Sequence, residues 1–256
     1  DVLGSRGLGD VYKRQVPAYE QSSDQEVAFQ AVDYILRVLK KNMVFGMTWG
    51  RAMHEFVEQL AKDERLRALS FQNVKVVPFL GTPGAIQSDS WNTTTYSNTL
   101  ATKVGNLLHC ASYNLSAPMY VEGTKEKELI ESIDEIAKVL HMAETADIAL
   151  IGIGSMQDDS SIIKAEIRTR EEYKELVRKG AVGEIVGRIY DKNGQTVDED
   201  LKRKMVGISL DKIAKIPVRV GMSYGKDKIE AIKGAIAGGL VNVLVTDVPT
   251  AELLLK

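Results

Sequence analysis

The stretch Ala146-Asp147-Ile148-Ala149-Leu150-Ile151-Gly152-Ile153-Gly154-Ser155 constrains this chain more than any other, because it is an apolar run of strand length that ends in glycines. A strand apolar on both faces belongs in the middle of a parallel sheet, where helices exclude water from each side. In open sheets of that kind, ligands collect outside the carboxyl ends of the strands. The run therefore predicts an α/β scaffold with a small-molecule site near its glycines.

The same strand-to-glycine transition recurs along the chain. Met43 to Arg51 reads as a strand entering the turn Gly46-x-Thr48-x-Gly50-Arg51, and Met53, Phe56, Val57, Leu60 and Ala61 follow at helical spacing. Val74 to Leu80, broken by Pro78, leads into Gly81-Thr82-Pro83-Gly84. Further strands are predicted at Ile216 to Met222 and Leu240 to Val245. Val182 to Tyr190 reads as one more, closed at Asp191-Lys192-Asn193-Gly194 by a hairpin turn of the Asn-Gly type.

Helices are predicted between these runs. The first opens at the Ser23/Glu26 capping box and reaches Lys40. Others are marked by Leu100, Ala101, Val104, Leu107 and Leu108, and by a stripe from Lys125 to Ala143, the longest. A Thr169/Glu172 box opens a short helix ending at Gly180, and Gly238-Gly239 ends Ile229 to Ala237. The last starts near Thr250 and carries Leu253, Leu254 and Leu255 inward. This alternation predicts a doubly wound, mostly parallel sheet with an antiparallel hairpin addition.

With 256 residues, 44% of them hydrophobic, the chain can bury the core of one large domain. A formal net charge of −2 argues against broad attraction to nucleic acid. The single cysteine, Cys110, excludes an intramolecular disulfide framework and a cysteine-based metal cluster, and it fits a reducing cytosol. His54, His109 and His141 lie in separate predicted helices without metal-ligand spacing, so no metal is expected. No run approaches the roughly 18 to 20 apolar residues of a membrane span. Residues Asp1 to Gln15 show neither an apolar signal core nor a structural period. They read as a non-native tail, 1–15, before a domain spanning 16–256.

The loop from Gly46 to Arg51 places backbone N–H groups, the Thr48 hydroxyl and a guanidinium at the expected start of a helix. A phosphate is favoured at such a place by unpaired N–H groups and the helix dipole, although steric demands alone also place glycines there. Lys228 follows a later strand and falls in the first turn of the next helix, where a cation suits a nearby anion or simply faces solvent. Asp191 reads first as a turn residue, and Glu184 lies in the hairpin beside it. Trp49 and Trp91 stand in predicted loops, to stack on a sugar ring or to pack in the core.

Five segments taken in order resemble the effector-binding domain of the SorC family of bacterial sugar-responsive transcription regulators. They are Gly46 to Arg51, Gly81 to Gly84, Ala146 to Ser155, Ala181-Val182-Gly183-Glu184-Ile185, and Lys228-x-x-Ala231-Ile232 with Val243-Leu244-Val245-Thr246-Asp247. The resemblance implies a Rossmann-like fold related to ribose-phosphate isomerases and glucosamine-phosphate deaminases. It also implies a phosphorylated sugar as effector, a cytoplasmic homo-oligomer, no cofactor and no chemical step.

By the same resemblance, phosphate falls to Thr48, Gly50, Arg51 and Lys228, and sugar hydroxyls to Asn98, Glu184 and Asp191. Gly46, Gly81, Gly84 and Gly154 complete the glycine loops around the ligand. Whole members begin with a helix-turn-helix domain, so a chain whose domain begins at Val16 is expected to bind effector without operator DNA. Tyr224 and Thr82-Pro83 depart from the family's glycines at those positions. The rival reading on this fold is an isomerase- or deaminase-like enzyme with Glu184 or Asp191 as general base.

Overall fold

The computed structural model describes residues 12–16, 23–83, 93–158 and 160–256. The chain first runs through β1 (Tyr12–Val16), α1 (Ser23–Val38), β2 (Val44–Met47), α2 (Arg51–Ala61), β3 (Lys75–Pro78), α3 (Ser97–Leu107) and β4 (Ala111–Ser112). It continues with α4 (Thr124–Glu131), α5 (Asp134–Glu144), β5 (Ile148–Gly152), β6 (Gly154–Ser155), α6 (Ser161–Lys164), α7 (Arg170–Arg178), β7 (Ala181–Ile185) and β8 (Arg188–Asp191). The last part holds α8 (Glu199–Lys204), α9 (Leu210–Ile213), β9 (Val218–Met222), α10 (Ile229–Ala237), β10 (Val243–Asp247) and α11 (Val248–Leu254).

Seven strands form one sheet in the order β1-β10-β9-β5-β2-β3-β4, with every pair parallel. The order explains where a ligand can sit. From β2 the chain steps outward to β3 and β4, then returns to the other side of β2 as β5 and steps away through β9 and β10. Successive connections thus leave in opposite directions from the β2/β5 pair, and a crevice opens there at the carboxyl ends.

The apolar stretch that predicts a central strand is one. Ile148 and Leu150 of β5 belong to the core shared with α1, α2 and α3, which includes Ile35, Phe56 and Val104. Ala149 and Ile151 face the opposite core, built with Tyr173 of α7, Ile213 of α9 and Ile232 of α10. Alternate residues of one strand therefore bury into two separate layers, which is why the run shows no polar alternation.

After Gly152 the stretch changes sheet. Gly154 and Ser155 pair antiparallel with β7, where Gly154 lies opposite Glu184, and β7 pairs with β8. The antiparallel addition is thus present, but its reversal comes earlier than the Asn-Gly signal. The chain folds back at Val186-Gly187, both with positive φ (54° and 68°), so Val182 to Tyr190 is two strands. The Asp191 to Gly194 turn follows and reverses the chain again, bringing Thr196 beside Tyr190.

Two other elements differ from the pattern. The Lys125 to Ala143 stripe is split into α4 and α5, because the Ser132 hydroxyl donates to the Leu129 carbonyl (2.7 Å) and Ile133 takes an extended conformation. Asp134 and Glu135 then supply a fresh acidic first turn. At the end of the chain α11 starts two residues before Thr250, capped by Asp247, and Leu255 stays exposed while Thr250 and Ala251 are buried. Tyr12–Val16 lies largely within the segment without a structural period, and it forms an edge strand through backbone pairing with Val243–Asp247.

Candidate functional site

A cleft of about 390 Å³ lies at the β2/β5 reversal, outside the carboxyl ends of β2, β5 and β9. Its walls are Trp49 to Ala52 after β2, Gly152 to Gly154 after β5, Met222 to Gly225 after β9, Asp227 and Lys228, with Glu184 of β7 and Asp24 of α1.

Glycine at position 50 is required by the backbone. Gly50 has φ 102° and ψ 178°, a region closed to other residues, and it is the N-cap of α2. Its carbonyl accepts from the His54 N–H (3.0 Å), which starts the helix, while its own N–H is held by the Thr95 carbonyl (3.0 Å). The first-turn amides of α2 have no helical acceptor, and Arg51 and Ala52 of that turn line the cleft. Gly225 has nearly the same φ, 104°, and introduces the 3₁₀ turn Lys226–Lys228 that leads into α10. Two helical starts with one backbone device therefore point their positive ends toward one space.

The charged side chains are linked in a chain. Lys228 Nζ donates to Ser155 Oγ (3.0 Å), Ser155 Oγ donates to Asp227 Oδ2 (3.1 Å), and Lys228 lies 3.7 Å from the same carboxylate. Asp227 is half exposed, so water screens that ion pair. Glu184 is different, since it is buried and its Oε1 accepts from the Gly187 N–H at 2.5 Å. Burial pushes its carboxyl above the usual range, against the Gly187 bond, the Lys228 charge, a Trp49 side-chain bond and Arg188. Gly154 makes room for it: a Cβ there would stand 2.8 Å from Glu184 Oε2. On the opposite wall, burial first and then a hydrogen bond with Asp24 push the Tyr224 phenol up.

The expected residues divide between this cleft and the interior. Gly50, Arg51, Gly154, Glu184 and Lys228 come together in it, and Trp49 joins them. Five others are placed elsewhere. Gly46 is a core position, where a Cβ would overlap the Phe79 ring. Thr48 is buried, and its Oγ1 accepts from the Gly152 N–H (3.0 Å), tying β2 to β5 beneath the cleft. Gly81 packs against the carbonyls of Ala117 and Pro118.

Asn98 spends its carboxamide on Thr82 Oγ1 (2.8 Å), the Leu115 carbonyl (3.1 Å) and the Leu115 N–H (2.9 Å). Asp191 accepts from the Asn193 and Gln195 amides (2.8 and 2.9 Å), the turn role. Gly84 and Trp91 lie outside the described residues. Asp24, Ser223 and Asp227 are cleft residues that no motif singled out. Ser155 and the Ser223 to Asp227 segment follow strands β5 and β9, so the strand-end rule reaches them, whereas Asp24 carries no such signal.

A doubly wound domain with a cleft at its reversal point, lined by charged and aromatic side chains, has the architecture of a small-molecule-binding domain. Comparison with known proteins narrows this class. The family model described as "Putative sugar-binding domain" matches residues 14–256. The transcriptional regulator LsrR of Escherichia coli is 33% identical over 230 residues, covering 88% of this chain and 67% of that protein. The sorbitol operon regulator of Klebsiella pneumoniae is 29% identical over 222 residues, 86% of this chain and 67% of that one. The crystal structure of full-length SorC from Klebsiella pneumoniae matches with a TM-score of 0.83 at 27% identity, over 94% of this chain and 75% of that chain.

The chain belongs to the sugar-binding domain family of SorC-type transcription regulators. Its relatives are regulators, so the chain is a regulator's domain and not an isomerase or deaminase. It spans about two thirds of the length of these curated relatives. Among the described residues no helix is long and apolar enough to cross a membrane.

Proposed function

We propose that the cleft binds a phosphorylated sugar as the effector of a regulator of sugar metabolism. The observation that carries this reading is the convergence of Arg51 and Lys228, 177 positions apart in sequence, on one cleft with the α2 N-terminus. A phosphoryl group there takes charge-assisted bonds from both cations and from first-turn amides. Sugar hydroxyls then fall toward Glu184, Ser155 and the Trp49 face. Thr48 ties β2 to β5, and Gly46, Gly81, Asn98 and Asp191 serve the surrounding fold without touching the ligand.

Effector binding shifts the protein only through differential affinity for two arrangements of the loops and of a homo-oligomer interface. DNA contact belongs to a separate N-terminal domain, the arrangement expected from the family.

Thermal unfolding with a panel of phosphorylated sugars tests the reading. At ligand about 100-fold above Kd, binding to the folded state adds about 2.7 kcal/mol, which moves Tm by several degrees. At least one phosphosugar should do so, its unphosphorylated parent should not, and Lys228→Ala should lose the shift. A wild type that no phosphosugar stabilises, or a Lys228→Ala variant with an undiminished shift, overturns it.

A further inference from the structure

Arg188 opens β8 behind the cleft wall and is only 3% exposed. Its Nη1 donates to the Val186 carbonyl (3.1 Å), and its Nη2 to those of Gly207 (2.9 Å) and Met205 (3.3 Å), in the segment between α8 and α9. Among the described residues no carboxylate accepts from this guanidinium, and its buried Nε has no partner. Holding a cation in the interior on carbonyls alone is expensive, and apolar side chains would join the two segments at less cost. Cohesion alone therefore does not account for an arginine here.

What the guanidinium fixes is one peptide group. The Val186 carbonyl and the Gly187 N–H belong to the same planar trans unit and point in opposite directions. The carbonyl end faces Arg188, while the N–H end donates to Glu184 Oε1 at 2.5 Å. Both residues that this peptide joins have positive φ, and for the β-branched Val186 that conformation is strained and persists only where its surroundings hold it. Turning the peptide over would take the donor away from Glu184 and the acceptor away from a buried cation. Arg188 opposes that turn. Glu184 in its turn lines the cleft, with Oε2 beside Gly154.

We infer that Arg188 is a positioning residue for ligand recognition: it does not line the cleft, and it orients Glu184 toward the sugar by locking the Val186–Gly187 peptide. The inference rests on the phosphosugar reading above and adds to it a residue that acts from behind the wall.

Calorimetry with inorganic phosphate and with a panel of phosphosugars, glucose 6-phosphate, fructose 6-phosphate and ribose 5-phosphate among them, tests it. For each phosphosugar that binds, the ratio of its affinity to that of phosphate isolates the contacts made to the sugar. Arg188→Met, which keeps the stem and removes the fork, should reduce this ratio by about tenfold, the worth of one hydrogen bond to a carboxylate, and leave phosphate affinity within about twofold of wild type. Glu184→Ala should reduce the ratio by at least as much. Arg188→Met added to Glu184→Ala should reduce it no further, because both changes remove the same contact, whereas a merely structural arginine gives losses that multiply. If Arg188→Met does not fold, Arg188→Lys, which keeps the cation but cannot span both segments, replaces it in the cycle, with an expected loss of about threefold. An unchanged ratio in the folded Arg188 variant, or losses that multiply in the double variant, overturns the positioning role and leaves the phosphosugar reading intact. Failure of the wild type to bind any phosphosugar more tightly than phosphate overturns both.

Discussion

The segments after β2 and β3 look alike in sequence, each an apolar strand running into spaced glycines, and they end in opposite surroundings. After β2, Gly50 sits at φ 102° at the mouth of a cleft, and a Cβ added to it would meet nothing within 4 Å. After β3, Gly81 is wedged so that a Cβ would stand 2.5 Å from the Ala117 carbonyl oxygen and 2.6 Å from that of Pro118. One glycine is demanded by backbone conformation beside open space, the other by close packing of chain on chain. What separates them is strand order: β2 borders the reversal and β3 does not, so only the first loop lines the cleft at that reversal.

Substitutions at the two glycines should break the likeness openly. Gly81→Ala pushes a methyl group into backbone that cannot swing aside, and a loss of about 3 kcal/mol is expected, the upper end for overpacking. Gly50→Ala meets no atom but must hold a glycine-only conformation, at about 2 kcal/mol. Urea unfolding measures both, and ligand separates them further. Gly81→Ala, as long as it folds, should keep the full phosphosugar shift in Tm, whereas Gly50→Ala should lose most of it by tilting the first turn of α2. Equal ligand responses from the two variants would remove the distinction.

Local signals explain which parts of the fold are legible from sequence. The Thr169/Glu172 capping box forms both of its bonds (3.2 and 2.8 Å), and α10 runs from Ile229 to Ala237 as its spacing predicts, because caps and periodicity are settled within a few residues. The hairpin reversal is hidden, since Val186 is a β-branched residue at positive φ and Gly187 alone marks the turn, while the stronger Asn-Gly signal belongs to the next reversal. In the site, Arg51, Gly154 and Lys228 follow strand ends and can be ranked by that rule. Asp24 cannot, because its place at the cleft depends on α1 lying against the end of β9, a juxtaposition 200 positions apart in sequence that only the strand order creates.

Glu184 and Asp191 form a second pair that sequence treats alike, two carboxylates beside one hairpin, and pH should tell them apart. Burial raises the Glu184 pKa above the 4.5 of an ordinary glutamate, so the folded state binds its proton more readily than the unfolded chain. Its contribution to stability is therefore fully favourable below the unfolded value and is lost as pH rises through the folded one. Glu184→Gln keeps an oxygen for the Gly187 amide and removes the buried charge. Its Tm should exceed that of wild type at neutral pH, and the gap should close as pH falls toward the ordinary carboxylate range. A gap that is constant with pH would mean that Glu184 does not titrate differently on folding.

Asp191→Ala should give the smallest effect and separate a turn role from a ligand role most directly. Its side chain accepts two backbone amides, from Asn193 and Gln195, at an exposed turn where water can replace it. The expected loss is about 1 kcal/mol, because exposed amides regain hydrogen bonds from solvent and only the preorganisation of the turn is given up. Gly194 packs its α-carbon against Gly238 at the end of α10, so loosening the turn also relaxes that contact, but it moves nothing that lines the cleft. Phosphosugar affinity should therefore match wild type within about twofold while Tm falls by about 2–4 °C. A loss of affinity much larger than the loss of stability would put Asp191 back among the ligand contacts, and the division between turn carboxylate and cleft carboxylate would fail.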